Sequence, residues 1–383
     1  MLPGSGHFHV EELPAYGPSG SGEHLYVHLE KEGLTTDQVA EALGAVCHRP
    51  FRDVGYAGRK DRHGVTRQWF SVHLPGSTGP GEAALAAIGE RLPQGRVQIL
   101  TVSRHANKIR LGHLAGNRFR LGLGDVDPGL GERLQDLARQ GLRHRFGPQR
   151  FGINGSNLRA AAAWGRGDAE AAVAALLDPT DTWRWGDPLP EGYRPGLEGR
   201  LLGALRRGVD AAAGLRMAGD PLRMLIASAG QSAIFNAILD ARVAAGLLHT
   251  LRPGDVAIKA NGPCFTVAAE DLAEANRRAA PGCLEVAASA PLPGSNRLVP
   301  APDILAEEKA WSAPTGMDWS WFAKGGALES PGERRALVQP LLEPPTLAEA
   351  EGVTWLSFAL PAGAYATEVL TQAGVSIPED RRG

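Results

Sequence analysis

The feature that most constrains this chain is a change of texture along it. Up to about residue 150, short alternations of apolar and polar residues recur as they do in strands. From Ile153 alanine-rich segments with helical spacing take over, and strand alternation returns at residues 355–360. Strand-rich ends around a helical middle fit a second domain inserted into the first, or two domains in series. With 383 residues, each domain is long enough to bury a core of its own.

Within the first part, residues 25–29 alternate as a strand. Thr36 reads as the N-cap of a helix whose apolar face is Val39, Leu43 and Val46. Residues 54–58 and 68–74 are strands around a polar loop, and residues 97–102 and 118–123 are further strands. Asp127-Pro128 opens a helix with Leu130, Leu134 and Leu137 on one stripe, ending near Gly141. The middle offers helices at 157–164 and 168–177 and a longer one from Asp220-Pro221, with Gly230 as a candidate break. The expected fold class is α+β, with a mixed, largely antiparallel sheet and helices on one side.

Composition removes several classes of function. Forty Lys+Arg against 42 Asp+Glu give a net charge of -2, which excludes a uniformly basic surface. Residues 1–10 have no basic or apolar leader, and no run approaches the roughly 18 apolar residues of a membrane span, so a soluble, cytoplasmic protein is expected, with no membrane partner. Cys47, Cys264 and Cys283 form no Cys-x-x-Cys pair and are expected as buried free thiols. There is no Gly-x-x-x-x-Gly-Lys-Ser/Thr, Gly-x-Gly-x-x-Gly, His-Glu-x-x-His or Gly-x-Ser-x-Gly motif, and His7 and His9 lack a third ligand. Neither a cofactor nor a metal is expected.

The net charge hides a regional imbalance. Residues 1–150 carry 19 basic and 15 acidic side chains, residues 151–300 carry 15 of each, and residues 301–383 carry 6 and 12. Residues 91–124 hold seven cations and residues 137–167 hold six, with no Asp or Glu in either stretch. Such stretches fit a solvated face, and equally the electrostatic footprint of a nucleic-acid site.

Three segments carry the most chemistry. Residues 58–68 surround one carboxylate, Asp61, with four cations and a histidine. Nearby cations keep an Asp ionised, which suits a nucleophile or an orienting base, although a turn-capping Asp looks the same. In Gly116-Asn117-Arg118-Phe119-Arg120, strand alternation puts Asn117 and Phe119 on one face and the two arginines on the other. An amide beside a ring can bond and stack a single base, and a core aromatic among surface arginines has the same pattern. The third segment, residues 145–152, sets Arg145 and Arg150 around Phe146 and Phe151 in a glycine-punctuated loop.

Taken in order, the segments resemble the TruD family of tRNA pseudouridine synthases. The resemblance is carried by Gly58-x-Lys60-Asp61-x4-Thr66-x-Gln68, Gly116-Asn117-x-Phe119, Phe146-Gly147-x-Gln149-Arg150-Phe151-Gly152 and Ser232-x-x-Phe235-Asn236. It continues through Ala290-Pro291-Leu292-Pro293-Gly294 and Phe358-x-Leu360-Pro361-x-Gly363-x-Tyr365-Ala366-Thr367. It implies a cofactor-free isomerisation of uridine to pseudouridine, typically at position 13 of tRNA. It also implies a pseudouridine synthase catalytic domain at residues 1–152 and 331–383, interrupted by a helix-rich TRUD domain at 153–330. Asp61 matches the catalytic aspartate; Phe8, Lys60, Asn117, Phe119 and Tyr365 match substrate-binding positions. Arg118, Arg120, Arg145 and Arg150 are candidates for RNA contact, in a protein expected to be monomeric. The competing reading is a non-catalytic RNA-binding or RNA-chaperone protein that uses the same cleft.

Overall fold

The computed structural model describes residues 2, 4–76, 85, 87–177, 198–260, 262–295 and 298–377. They form two compact units, residues 1–138 with 341–380 and residues 139–340. The borders lie outside the expected 152 and 331. The reason is a two-stranded pairing of Leu142–Arg143 with Val338–Gln339, which draws both connecting segments into the second unit.

Along the chain, the first unit contributes β1 (Phe8–Pro14), β2 (His24–Glu32), α1 (Thr36–Val46), β3 (Val54–Tyr56), β4 (Val65–His73), β5 (Arg96–His105) and β6 (Leu114–Leu123). Helix α2 (Leu130–Gln140) follows, with Leu130, Leu134 and Leu137 buried on its expected stripe. The second unit holds β7 (Leu142–Arg143), α3 (Ser156–Gly165), α4 (Ala169–Leu177), α5 (Gly199–Leu205), α6 (Ala211–Ala218), α7 (Asp220–Ala244), β8 (Val256–Lys259) and β9 (Cys264–Thr266). It continues with α8 (Leu272–Ala279), β10 (Val286–Leu292), α9 (Pro302–Ser312), β11 (Glu333–Ala336) and β12 (Val338–Gln339). The chain then returns to the first unit as β13 (Glu343–Ala350), β14 (Val353–Pro361) and α10 (Ala366–Gln372).

The first unit is built on one sheet in the order β13-β14-β6-β1-β4-β2-β5, with β3 added to β4. Its pairings are antiparallel except β1 with β4, which run parallel. Leu25, Val27 and Leu29 of β2, with Phe70 and Val72 of β4, bury one face of the sheet under Val39 and Leu43 of α1. The N-cap of α1 is Thr35, one residue before the expected Thr36. Thr35 and Gln38 bond each other's backbone N–H as a capping box, and this releases the Thr36 side chain for the loop described below.

In the second unit, α7 runs unbroken through Gly230. A Cβ on that residue would lie 2.8 Å from the Phe322 ring, so the glycine serves close packing. Gly219, with φ 86°, is the residue at the helix N-cap, and Pro221 sits in the first turn as expected. By length and hydropathy α7 could cross a membrane, but 67% of its apolar window is buried, where Ile226, Ile234, Phe235 and Ile238 join the core of the unit. Of the cysteines only Cys47 is buried, where desolvation pushes its thiol up to about 11; Cys264 and Cys283 are half-buried. Gly230→Val is expected to destabilise the protein by about 1–3 kcal/mol through overpacking against Phe322. Urea unfolding measures this, and an unchanged midpoint would contradict the packing.

Candidate active site

The inner face of the first sheet can be read row by row. Register pairs Val10 with Thr66 on one side and with Phe119 on the other, and Phe119 with Phe358. In the next row Glu12 pairs with Asn117, and Asn117 with Leu360. Phe119 is buried, stacked on Phe358 at 5.4 Å, with Phe8 tilted against it at 6.5 Å. The Asn117 side-chain oxygen is buried without a hydrogen-bond partner. A buried acceptor left open costs about 1–3 kcal/mol, so this atom is poised for a donor from outside.

Over this face lies the loop between β3 and β4, fastened at each step. The Gln68 amide donates to the Gly58 carbonyl at 3.2 Å, and the Thr36 hydroxyl donates to Gln68 Oε1 and accepts the Lys60 N–H, both at 2.9 Å. Lys60 Nζ sits 2.7 Å from Glu12 Oε2, with both side chains buried at 5% and 1% exposure. Lys31, also buried, donates from Nζ to the Asp61 carbonyl at 2.9 Å and the Leu34 carbonyl at 2.7 Å. Arg62 and Gly33 exchange two further bonds at 3.0 Å. Gly64 closes the loop against Phe8, where a Cβ would come within 2.6 Å of the ring. Asp61 itself is exposed, with Oδ1 accepting the His63 N–H at 2.8 Å.

The structure therefore gathers Phe8, Lys60, Asp61, Asn117 and Phe119. Tyr365 stands half-buried at the N-cap of α10, past the end of β14 where Leu360 pairs with Asn117. Arg118 and Arg120 point to the other face. Arg118 is held by Glu11 at 2.9 Å and by Glu343, and Arg120 stacks 3.9 Å over Trp355, which His9 meets edge-on. Arg145 and Arg150 belong to the second unit, where Arg145 is bonded to Asp240. Among the described residues, no group of three His, Cys, Asp or Glu side chains could hold a metal ion.

Sequence reading missed Glu12 and Lys31. Both carried a signal: each is a charge on the inward side of an alternating strand, after Phe8 and Val10 in β1 and after Leu25, Val27 and Leu29 in β2. Burial brings the Lys31 amine down to about 8 against an ordinary 10.5, with the Asp61 carboxylate opposing the shift.

A family model described as tRNA pseudouridine synthase D (TruD) matches residues 4–373. The tRNA pseudouridine synthase D of Geobacter metallireducens is 38% identical over 97% of this chain and 95% of that protein, and that of an Anaeromyxobacter species is 38% identical over 99% and 96%. A crystal structure assigned to tRNA pseudouridine synthase D from Methanosarcina mazei shares the fold, with a TM-score of 0.72 at 22% identity over 97% of this chain and 94% of that one. The protein is thus an isomerase enzyme of the tRNA pseudouridine synthase class, acting on tRNA uridine. Within that class the chain belongs to the TruD family.

Two predictions follow the charges. Glu12→Gln leaves a buried ammonium uncompensated and should cost about 3–5 kcal/mol in chemical denaturation, whereas Glu12→Leu with Lys60→Met should recover most of that loss. Equal stabilities for the two variants would contradict the pairing. For Lys31, the depressed value means that the folded state holds fewer protons than the unfolded chain between about pH 8 and 10.5. The burial penalty is complete below that window and gone above it. Stability of the wild type relative to Lys31→Met should therefore rise across it, by on the order of 3 kcal/mol. A flat difference would show that burial does not lower the Lys31 amine in the fold.

Proposed function

We propose that Asp61 is the catalytic carboxylate and that the substrate uridine is at position 13 of tRNA. The observation that supports this most is the fastening of the Asp61 loop, by Lys31, Thr36, Gln68 and Lys60–Glu12, to the sheet face that carries Asn117 and Phe119. The reaction breaks the N1–C1′ bond, turns the uracil, and forms a C5–C1′ bond; C5 gives up a proton and N1 gains one, so nothing is consumed. It requires one carboxylate at the sugar and a means of keeping the detached base. Asp61 supplies the first, as nucleophile or as base at the sugar. Asn117, with its open buried acceptor, and the aromatic wall of Phe8 and Phe119 supply the second. Tyr365 borders the same site.

The position of Lys60 refines its part. Its charge is met by Glu12, so it holds the loop in place and leaves the base to Asn117 and the rings. The uridine must be extruded from its arm at a cost of a few kcal/mol, offset by stacking and phosphate contacts. The enzyme works in the cytoplasm as a monomer, with no cofactor. Asp61→Asn should bind tRNA within about threefold of wild type while its turnover falls at least about 1,000-fold. Tritium release from tRNA carrying 5-tritiated uridine measures the rate, and a variant retaining a tenth of it would overturn the assignment.

A further inference from the structure

Three motif segments that the isomerisation site does not use converge elsewhere, inside the second unit. The Asn236 side chain bonds both the N–H and the carbonyl of Phe146, at 3.0 and 2.9 Å, and Phe235 meets the Phe146 ring edge-on at 5.4 Å. One turn earlier on α7, Gln231 donates to the Pro293 carbonyl at 2.6 Å, tying in the Pro291–Gly294 segment. Between them opens a cavity of about 250 Å³ lined by Phe146, Arg150, Ser228, Gln231, Ser232 and Arg335. It is smaller than the usual 300–1,000 Å³ of a drug-sized ligand site and suits a compact group.

Its chemistry selects an anion. The Arg150 and Arg335 guanidinium carbons lie 5.1 and 4.5 Å from the centre of the same Phe146 ring, so two cations share one aromatic platform. Arg335 is steadied by His144, to which it donates. Arg150 donates to the neutral Ser228 hydroxyl at 3.4 Å, and among the described residues no carboxylate bonds it. In the same unit Arg145, Arg242 and Arg334 each have a carboxylate partner: Asp240, Asp255 and Glu308. The Ser228 hydroxyl donates to the Leu225 carbonyl at 2.8 Å, the Ser232 hydroxyl lines the pocket as a neutral polar group, and the carboxylate in the lining is Glu333, an exposed side chain at the start of β11. Two guanidinium groups lie against one ring at this pocket, and a planar guanidinium matches phosphate oxygens in a fork.

We propose that this pocket binds a phosphodiester group of the tRNA, as a backbone contact made by the second unit. The proposal rests on tRNA being the substrate. Binding of unmodified tRNA is measured by fluorescence anisotropy from 50 to 200 mM salt, using the full-length wild type, Arg150→Gln with Arg335→Gln, and Ser228→Asp. The double variant should bind roughly tenfold more weakly at the lower salt, with the slope of log affinity against log salt reduced by about one for each arginine. Ser228→Asp, which retains both arginines and adds a negative charge, should weaken binding similarly. It keeps the test decisive if the double variant fails to fold. If the wild type binds tRNA and Ser228→Asp shares its affinity and slope, the pocket assignment falls and the isomerase reading stands. A wild type that does not bind tRNA would overturn both.

Discussion

The buried pair between Lys60 and Glu12 is the interaction on which the site depends. Two nearly inaccessible charges 2.7 Å apart are costly to desolvate, and such a pair is weak evidence for stability in itself. What it fixes is position. Glu12 is on β1, between the strand that carries Asn117 and the strand that follows the loop, and its other oxygen accepts the Trp69 N–H of β4 at 3.4 Å. The polar loop is thereby attached to the middle of the sheet, while Lys31, Thr36 and Gln68 hold its flanks. Asp61 stays exposed on a backbone held by these bonds, and this pre-organisation is what the proposed role of a carboxylate at the sugar would require.

The sheet divides its work between two faces. The inner one places an amide, aromatic rings and the fastened loop together. On the outer one, cations are matched by acids: Arg67 with Glu30, Arg96 with Glu32, and Arg118 between Glu11 and Glu343. Of the two arginines of β6, Arg118 is therefore neutralised by acids, while Arg120 lies exposed over the Trp355 ring. Part of the acid-free stretch at residues 91–124 is thus compensated across strands, Arg96 by Glu32 and Arg118 by Glu11 and Glu343.

What the sequence made legible was local. Alternation placed Asn117 and Phe119 on one face, and the leucine stripe marked α2. The resemblance named Asp61 and its neighbours. Long-range pairing was less accessible. Glu12 and Lys60 are 48 residues apart, and Arg118 and Glu343 are 225 apart, so nothing in either local pattern announces the partner. The N-cap of α1 fell on Thr35 because a capping box outweighs a single favourable residue, and Gly230 stayed helical because Phe322 occupies the space a side chain would need. A charge on the inward side of a strand, as at Glu12 and Lys31, is the one local sign that would have exposed the missing members of the site.

The catalytic role proposed for Asp61 depends on the fastening of its loop to the sheet through a buried charge pair. Single-turnover pseudouridine formation at saturating tRNA, mapped nucleotide by nucleotide, tests it in the wild type and in the Glu12→Leu, Lys60→Met protein. The wild type is expected to form pseudouridine at position 13, and the folded double variant to react at least about 100-fold more slowly, as when a catalytic group loses its positioning. Equal rates in the two proteins would contradict it.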